Sequence, residues 1–264
     1  MKIPCRGRAL KGFPLIMGIL NLTPDSFSDG GRWTDPDKAI KHAFDMIDQG
    51  AGIIDVGAES TRPGSEPVVE EEEWARLSAV LEDLIESTDV PISVDTLKPG
   101  VAERAISAGA HIINDVNGLR ARGMVDVCAG SDVCVVISHM HGEYDSMHST
   151  YMGDDYKNEI KTFLDAQCTR CLESGMSKNR LIIDPGIGFG KTPEQNMAIV
   201  EDCSFLGDDY PILIGVSRKR FVKEYYPDTD VDKASAILSK KALSSGASIV
   251  RVHNVEAMVS ELKL

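Results

Sequence analysis

The chain has no apolar stretch approaching the roughly 20 residues of a membrane span. Its N-terminal MKIPCRGRALKGFPLIMGIL carries too short an apolar run for a secretory leader and lacks a small-residue cleavage site. These absences predict a cytoplasmic protein without a membrane partner. Positive charge is also in deficit: 28 Lys and Arg stand against 41 Asp and Glu, a formal charge of −13. An acidic surface repels nucleic acid and anionic lipid, yet a local basic cluster inside it can still take a small anionic ligand. Nor is there a cysteine framework. Cys5, Cys128, Cys134, Cys168, Cys171 and Cys203 are scattered, as reduced thiols would be. Cys168 and Cys171 form a lone C-x-x-C inside a helix-like segment. A zinc site would want two more ligands and a redox pair would stand ahead of the helix, so packing is the expectation. Linkers, low-complexity tracts and internal repeats are missing as well.

What is present is an ordinary globular composition, 42% apolar and 26% charged, over 264 residues. That length suits two small domains or one α/β barrel of about 250 residues, and it buries a core without disulfide or metal staples. Eight short β-branched runs favour the barrel: LIMGIL (15–20), GIIDVG (52–57), PISVD (91–95), HIIND (111–115), VCVVIS (133–138), RLIID (180–184), PILIG (211–215) and SIVRV (248–252). Each reads as a strand buried on both faces, as parallel strands are. Between most of them lie stretches with apolar residues three and four apart. DPDKAIKHAFDMIDQGA has Asp35 as N-cap, Pro36 at the first helical position and Gly50 at its close. EEEEWARLSAVLEDLIEST puts four glutamates where a helix N-terminus favours negative charge. KPGVAERAISAGA, DDYKNEIKTFLDAQCTRCLESG, TPEQNMAIVEDC and TDVDKASAILSKKALSSGA continue the pattern, and the connection across 118–131 carries the least of it. The prediction is a single (β/α)8 TIM barrel domain over 1–264. An open doubly wound sheet would show fewer strands and a glycine fingerprint after the first.

In such a barrel the active site lies at the C-terminal ends of the strands. Just there stand Asn21, then Glu59 to Arg62, Asp95, Asn114 with Asp115, His139 with Met140, Asp184, Ser217 to Arg220, and Arg251 with His253. One polar strand end would only cap a turn; a complete ring of them points to a site. Arg62, Lys219, Arg251 and His253 suit an anion pocket. Asp95, Asn114 and Asp184 suit a ring edge presenting an amino group beside a ring N–H, as in a pterin or guanine, because a carboxylate accepts two hydrogen bonds at once. DPGIGFGKT (184–192) mimics a phosphate-binding P-loop, but the first glycine of that pattern falls on Pro185. Its glycines instead let backbone approach a flat ligand, with Phe189 as a face. His139 and His141 share one side of a strand end, but the further ligands of a metal cage are not in place.

Seven of these segments carry a resemblance. NLTPDSFSDGG (21–31), ESTRPGS (59–65), SVDT (93–96), INDVNG (113–118), DPGIGFGKT (184–192), SRKR (217–220) and RVHNV (251–255) stand in the order found in the dihydropteroate synthases of folate biosynthesis, and the chain resembles that family over nearly its whole length. The resemblance implies condensation of 6-hydroxymethyl-7,8-dihydropterin diphosphate with 4-aminobenzoate, Mg²⁺ as cofactor and a homodimer. It implies a pterin slot of Asp95, Asn114, Met140, Asp184, Phe189, Gly215 and Lys219, and a diphosphate site of Asn21, Arg251 and His253 with Asn21 also on Mg²⁺. The arylamine side falls to Thr61, Arg62, Pro63, Ser217 and Arg220, and catalytic parts to Phe27, Asp29, Arg62 and Lys219. The crowded loop after the first strand then reads as a catalytic lid over a pterin-stabilised cation. Where many members of the family have Ser, this chain has Arg220, which admits a different arylamine as an alternative. A methyltetrahydrofolate-binding methyltransferase-like barrel and a binding-only protein are the others.

Overall fold

All eight apolar runs form parallel strands, and a hairpin precedes them. The computed structural model describes residues 2–23, 35–60, 67–142 and 150–263. The hairpin pairs β1 (Lys2–Cys5) with β2 (Arg8–Lys11), Cys5 opposite Arg8. Its two-residue turn places Arg6 at φ 40 and Gly7 at φ 75, the positive values that match a hairpin's twist. The barrel strands are β3 (Leu15–Asn21), β4 (Ile53–Gly57), β5 (Ile92–Asp95), β6 (Ile112–Asp115), β7 (Cys134–Ser138), β8 (Leu181–Asp184), β9 (Leu213–Ile214) and β10 (Ile249–Val252). They neighbour one another in the order β8-β7-β6-β5-β4-β3-β10-β9, and one bridge, Ile183 to Ile212, joins the two ends.

Helices wrap this sheet: α1 (Pro36–Gln49), α2 (Glu70–Ser87), α3 (Pro99–Ala108), α4 (Met124–Ala129), α5 (Tyr156–Glu173), α6 (Pro193–Glu201), α7 (Arg220–Tyr225), α8 (Val231–Ser244) and α9 (Val255–Leu262). Local chemistry sets their ends. The Asp35 carboxylate accepts from the Asp37 N–H, and Gly50 closes α1 at φ 115. Thr192 and Gln195 form a reciprocal capping box on α6. The glutamates of α2 do more than meet a helix dipole: Glu73 has no exposed surface and pairs with Lys98 at 2.5 Å, while Glu71 pairs with Arg104. Cys168 and Cys171 both lie buried in α5, where burial pushes their thiols up to about 12 and about 11. The sequence pattern did not separate the hairpin, α7 or α9, and α4 is only six residues long.

Alternation along the strands sorts the core into two layers. Ile16, Leu20, Ile54, Val94, Ile113 and Val250 pack outward against the helices. Leu15, Met17, Ile53, Ile112, Leu213 and Ile249 fill the barrel's lower interior, and Ile3, Cys5 and Leu10 of the hairpin close it from below. The hairpin is held there by charge as well as by apolar contact. Arg8 donates to the carbonyls of Ile85 (2.8 Å) and Val90 (2.6 Å), and Arg6 to that of Ile106, so its cations meet the negative ends of α2 and α3. With the bottom plugged, the upper mouth is left for chemistry. Among the described residues no helix is long and apolar enough to cross a membrane.

Candidate active site

The same alternation that sends Met17, Ile53 and Ile112 inward at the bottom sends polar residues inward above them. Two residues further along each strand come Ile19, Asp55 and Asn114; further still come Asn21 and Gly57, with Asp95 paired between Gly57 and Asn114. Asp55 has no exposed surface, and its Oδ2 accepts from Arg251 Nε (2.6 Å) and Asn114 Nδ2 (3.1 Å). Arg251, on β10, also donates through Nη2 to Asp95 (2.7 Å). Burial works against the Arg251 cation, but Asp55 and Asp95 outweigh it and hold the group charged. Burial raises Asp95 to about 7, with Arg251 opposing and Asp55 adding repulsion.

Across the mouth, Asp184 ends β8. Its Oδ1 accepts from the Gly186 N–H (2.7 Å), and Oδ2 lies 3.4 Å from the Ser138 hydroxyl. Burial raises this carboxyl too, against Lys219 and the Gly186 N–H. Lys219 is lowered to about 8, chiefly by burial, with Asp184 working the other way. Its Nζ donates to the Ile187 carbonyl and stands 4.3 Å from the centre of the Phe189 ring. Ser217 Oγ lies 2.9 Å from His253 Nδ1 and accepts from the His253 N–H (3.1 Å). Between Ser217 and Lys219, Arg218 turns the chain at φ 58 and anchors it through both oxygens of Asp232. Asn254 donates to the same carboxylate (3.2 Å), tying this loop to the one after β10.

The mouth therefore brings together Asp95, Asn114, Asp184, Lys219 and Arg251, with Ser217 and His253 beside them. Asn21 is the last residue of β3, level with Gly57. Met140 follows β7 and is buried, and Gly215 follows β9. Arg220 stands apart: its side chain is 88% exposed and lies 3.4 Å from Glu224 along α7. Phe27, Asp29, Thr61, Arg62 and Pro63 lie outside the described residues. Two participants escaped the sequence reading. Asp55 sits mid-strand in GIIDVG, and a carboxylate inside an apolar run was the signal for it. Lys191, 3% exposed, donates to His139 Nδ1 (3.0 Å), and nothing in the sequence pairs these two. Among the described residues, no three His, Cys, Asp or Glu gather as a metal-holding group.

A floor of acceptors facing two partly buried cations can grip a flat, amide-like ring edge while compensating an anion above it. Comparison with known proteins agrees. The model of the pterin binding enzyme family matches residues 17–253. The dihydropteroate synthase of Escherichia coli K12 is 38% identical over 268 aligned residues, covering 100% of this chain and 95% of that one. Solved structures of the Xanthomonas albilineans dihydropteroate synthase superimpose closely. The one with 4-aminobenzoic acid has a TM-score of 0.92 at 39% identity, covering 99% of this chain and 96% of that one. The one in complex with 7,8-dihydropteroate has a TM-score of 0.88 at 37% identity, covering 100% and 97%. These relatives favour the synthase over a methyltransferase-like barrel. The chain belongs to the pterin binding enzymes and, within them, to the dihydropteroate synthases.

Proposed function

We infer that this chain condenses 6-hydroxymethyl-7,8-dihydropterin diphosphate with 4-aminobenzoate, giving 7,8-dihydropteroate and diphosphate. The observation that carries the reading is the barrel mouth, where Asp95, Asn114 and Asp184 oppose Lys219 and Arg251. Asp184, raised but flanked by Lys219, accepts from the pterin's amino group and ring N–H, and Asn114 both donates and accepts along that edge. The resemblance assigns Phe189, Met140 and Gly215 to the slot for the flat ring. The bond that breaks joins the pterin methylene to a diphosphate oxygen, and the bond that forms joins the methylene to the arylamine nitrogen. The arylammonium so formed is acidic and loses its proton to solvent, so His253 has no need to act as base. Arg251 spends Nε and Nη2 on Asp55 and Asp95, which leaves Nη1 for a phosphate oxygen beside His253.

Asn21 offers one neutral amide oxygen at the mouth. A lone hard oxygen fits a Mg²⁺ carried mostly by diphosphate and water, since that ion is commonly bound through few protein ligands plus substrate phosphates. When bound, Mg²⁺ neutralises charge on the departing diphosphate. The resemblance implies catalytic parts for Phe27, Asp29 and Arg62 and an arylamine side of Thr61, Arg62, Pro63, Ser217 and Arg220. One pterin-binding domain spans 1–264, supported by an outer core cluster that runs from Ile16 to Met258. A cytoplasmic homodimer completes the reading; light scattering on the purified protein tests the dimer. The deciding experiment is diphosphate release with Mg²⁺ and the pterin diphosphate. Release that requires 4-aminobenzoate and yields dihydropteroate is expected; release without the arylamine, or none with it, would overturn the assignment.

A further inference from the structure

The loop after β8 presents two groups to Lys219, the Ile187 carbonyl and the Phe189 ring. Gly188 stands so close that a β-carbon there would lie 2.9 Å from Lys219 Cδ. Yet the loop is built on Gly186, Gly188 and Gly190 at φ 70, 81 and 68, and such residues lose the most conformational freedom on ordering. Something must hold it. Lys191 does: its buried ammonium donates to Gly186 O (2.9 Å), Phe189 O (3.1 Å) and His139 Nδ1 (3.0 Å). Burial pulls Lys191 down to about 7, with Asp184 opposing; in its charged form the three ammonium hydrogens go two to the loop and one to the residue that follows β7. None is left for a phosphate, although the surrounding letters mimic a phosphate loop. Burial and the Lys191 charge keep His139 neutral, and as the Nε2–H tautomer it accepts the Lys191 bond at Nδ1. The loop also lies flush on β7's end. A β-carbon on Gly186 would collide with the His139 carbonyl, and one on Gly190 with His141.

We propose that Lys191 is a positioning residue for the pterin site: it clamps the glycine loop onto His139 and, through that loop, fixes the Ile187 carbonyl and Phe189 ring against Lys219. This deepens the functional reading given above and rests on it. It assigns the lysine of DPGIGFGKT an indirect role, and it makes His139 the anchor rather than a metal ligand. A lysine that merely stabilised the fold would affect both substrates alike; a clamp acting on Lys219 affects the pterin side.

The test varies each substrate separately in steady-state kinetics. Lys191→Met should raise KM for the pterin diphosphate tenfold or more and leave KM for 4-aminobenzoate within twofold. His139→Leu should shift the same parameter, and His139→Asn, which keeps an acceptor near the Nδ1 position, should restore it to within threefold of the parent. Equal changes in both KM values, or none, would overturn the proposal. If Lys191→Met does not fold, the two His139 variants carry the same comparison. A crystal structure of His139→Leu decides the clamp without any turnover: Lys219 Nζ still on the Ile187 carbonyl and over Phe189 would sink it. A parent protein inactive with these substrates would instead strike at the assigned reaction, leaving the crystallographic comparison to judge the clamp.

Discussion

Asp55 is the residue on which the mouth's charge balance turns. A buried ion pair adds little net stability while both partners are present, but removing one strands the other. Asp55→Ala leaves the Arg251 guanidinium with Asp95 alone and removes the acceptor for Asn114. We expect a loss below the roughly 3–5 kcal/mol that an uncompensated buried charge costs, because Asp95 still pairs with the partly exposed Arg251, and urea unfolding reads it. Asp184 differs, because its direct hydrogen bonds come from a backbone N–H and a hydroxyl, and Lys219 acts on it only through space. Asp184→Asn should therefore fold normally and weaken pterin diphosphate binding at least tenfold by titration calorimetry; undiminished affinity would remove it from the site. Individual residues at strand ends were legible in the sequence because the fold class says where to look. Asp55 was not, since a mid-strand charge earns its meaning only from Arg251, almost 200 positions away in the chain.

Among the elements, α6 shows how a helix end serves a site. Its capping box, Thr192 with Gln195, sets the N-cap two residues after Gly190, and Asn196 Oδ1 accepts from the Gly188 N–H (2.7 Å). Thr192→Ala should cost roughly 1 kcal/mol, as loss of an N-cap does, and speed amide exchange at Gly188. Exchange unchanged there would separate the cap from the loop. The hairpin is the element the sequence concealed. Its strands are four residues each, rich in Lys and Arg, and the buried apolar positions are only Ile3, Cys5 and Leu10. No periodicity is readable in so short a span. The fold needs it to seal the barrel bottom, and Arg8→Ala, which drops two bonds from a charged donor, should cost about 1.5–3 kcal/mol by denaturant titration. By contrast α1 announced both its ends through Asp35 and Gly50.

For the molecule as a whole, buried titratable groups pull stability in opposite directions with pH. Burial lowers His111 from its usual 6.5 to about 4, and its Nδ1 accepts from the Ile92 N–H (3.2 Å). That group favours the fold above pH 6.5, and its contribution is lost as pH falls from 6.5 through 4. Asp115 is raised from 3.8 to about 7, so its contribution is present at acid pH and lost as pH rises from 3.8 through 7. His111→Asn keeps an acceptor and removes the His111 contribution to the slope. Its melting temperature should rise less than the parent's between pH 4.5 and 6.5; parallel curves would show that His111 does not titrate there. The barrel itself was legible because eight runs and their polar ends agree with each other. What was not legible is how thinly it closes, since PILIG pairs as a strand over only two residues and meets β8 at one bridge. That closure has a thermodynamic corollary. Asp184 and Lys219 stand on opposite sides of the place where one bridge, Ile183 to Ile212, joins the sheet's ends. On the site proposed above, a pterin held by both would be a clasp across the barrel's seam, so that occupancy and mechanical integrity become one equilibrium. Ligand at a hundred times its dissociation constant adds about 2.7 kcal/mol to the folded state, and the amides of Ile183 and Ile212 are where that gain should register first.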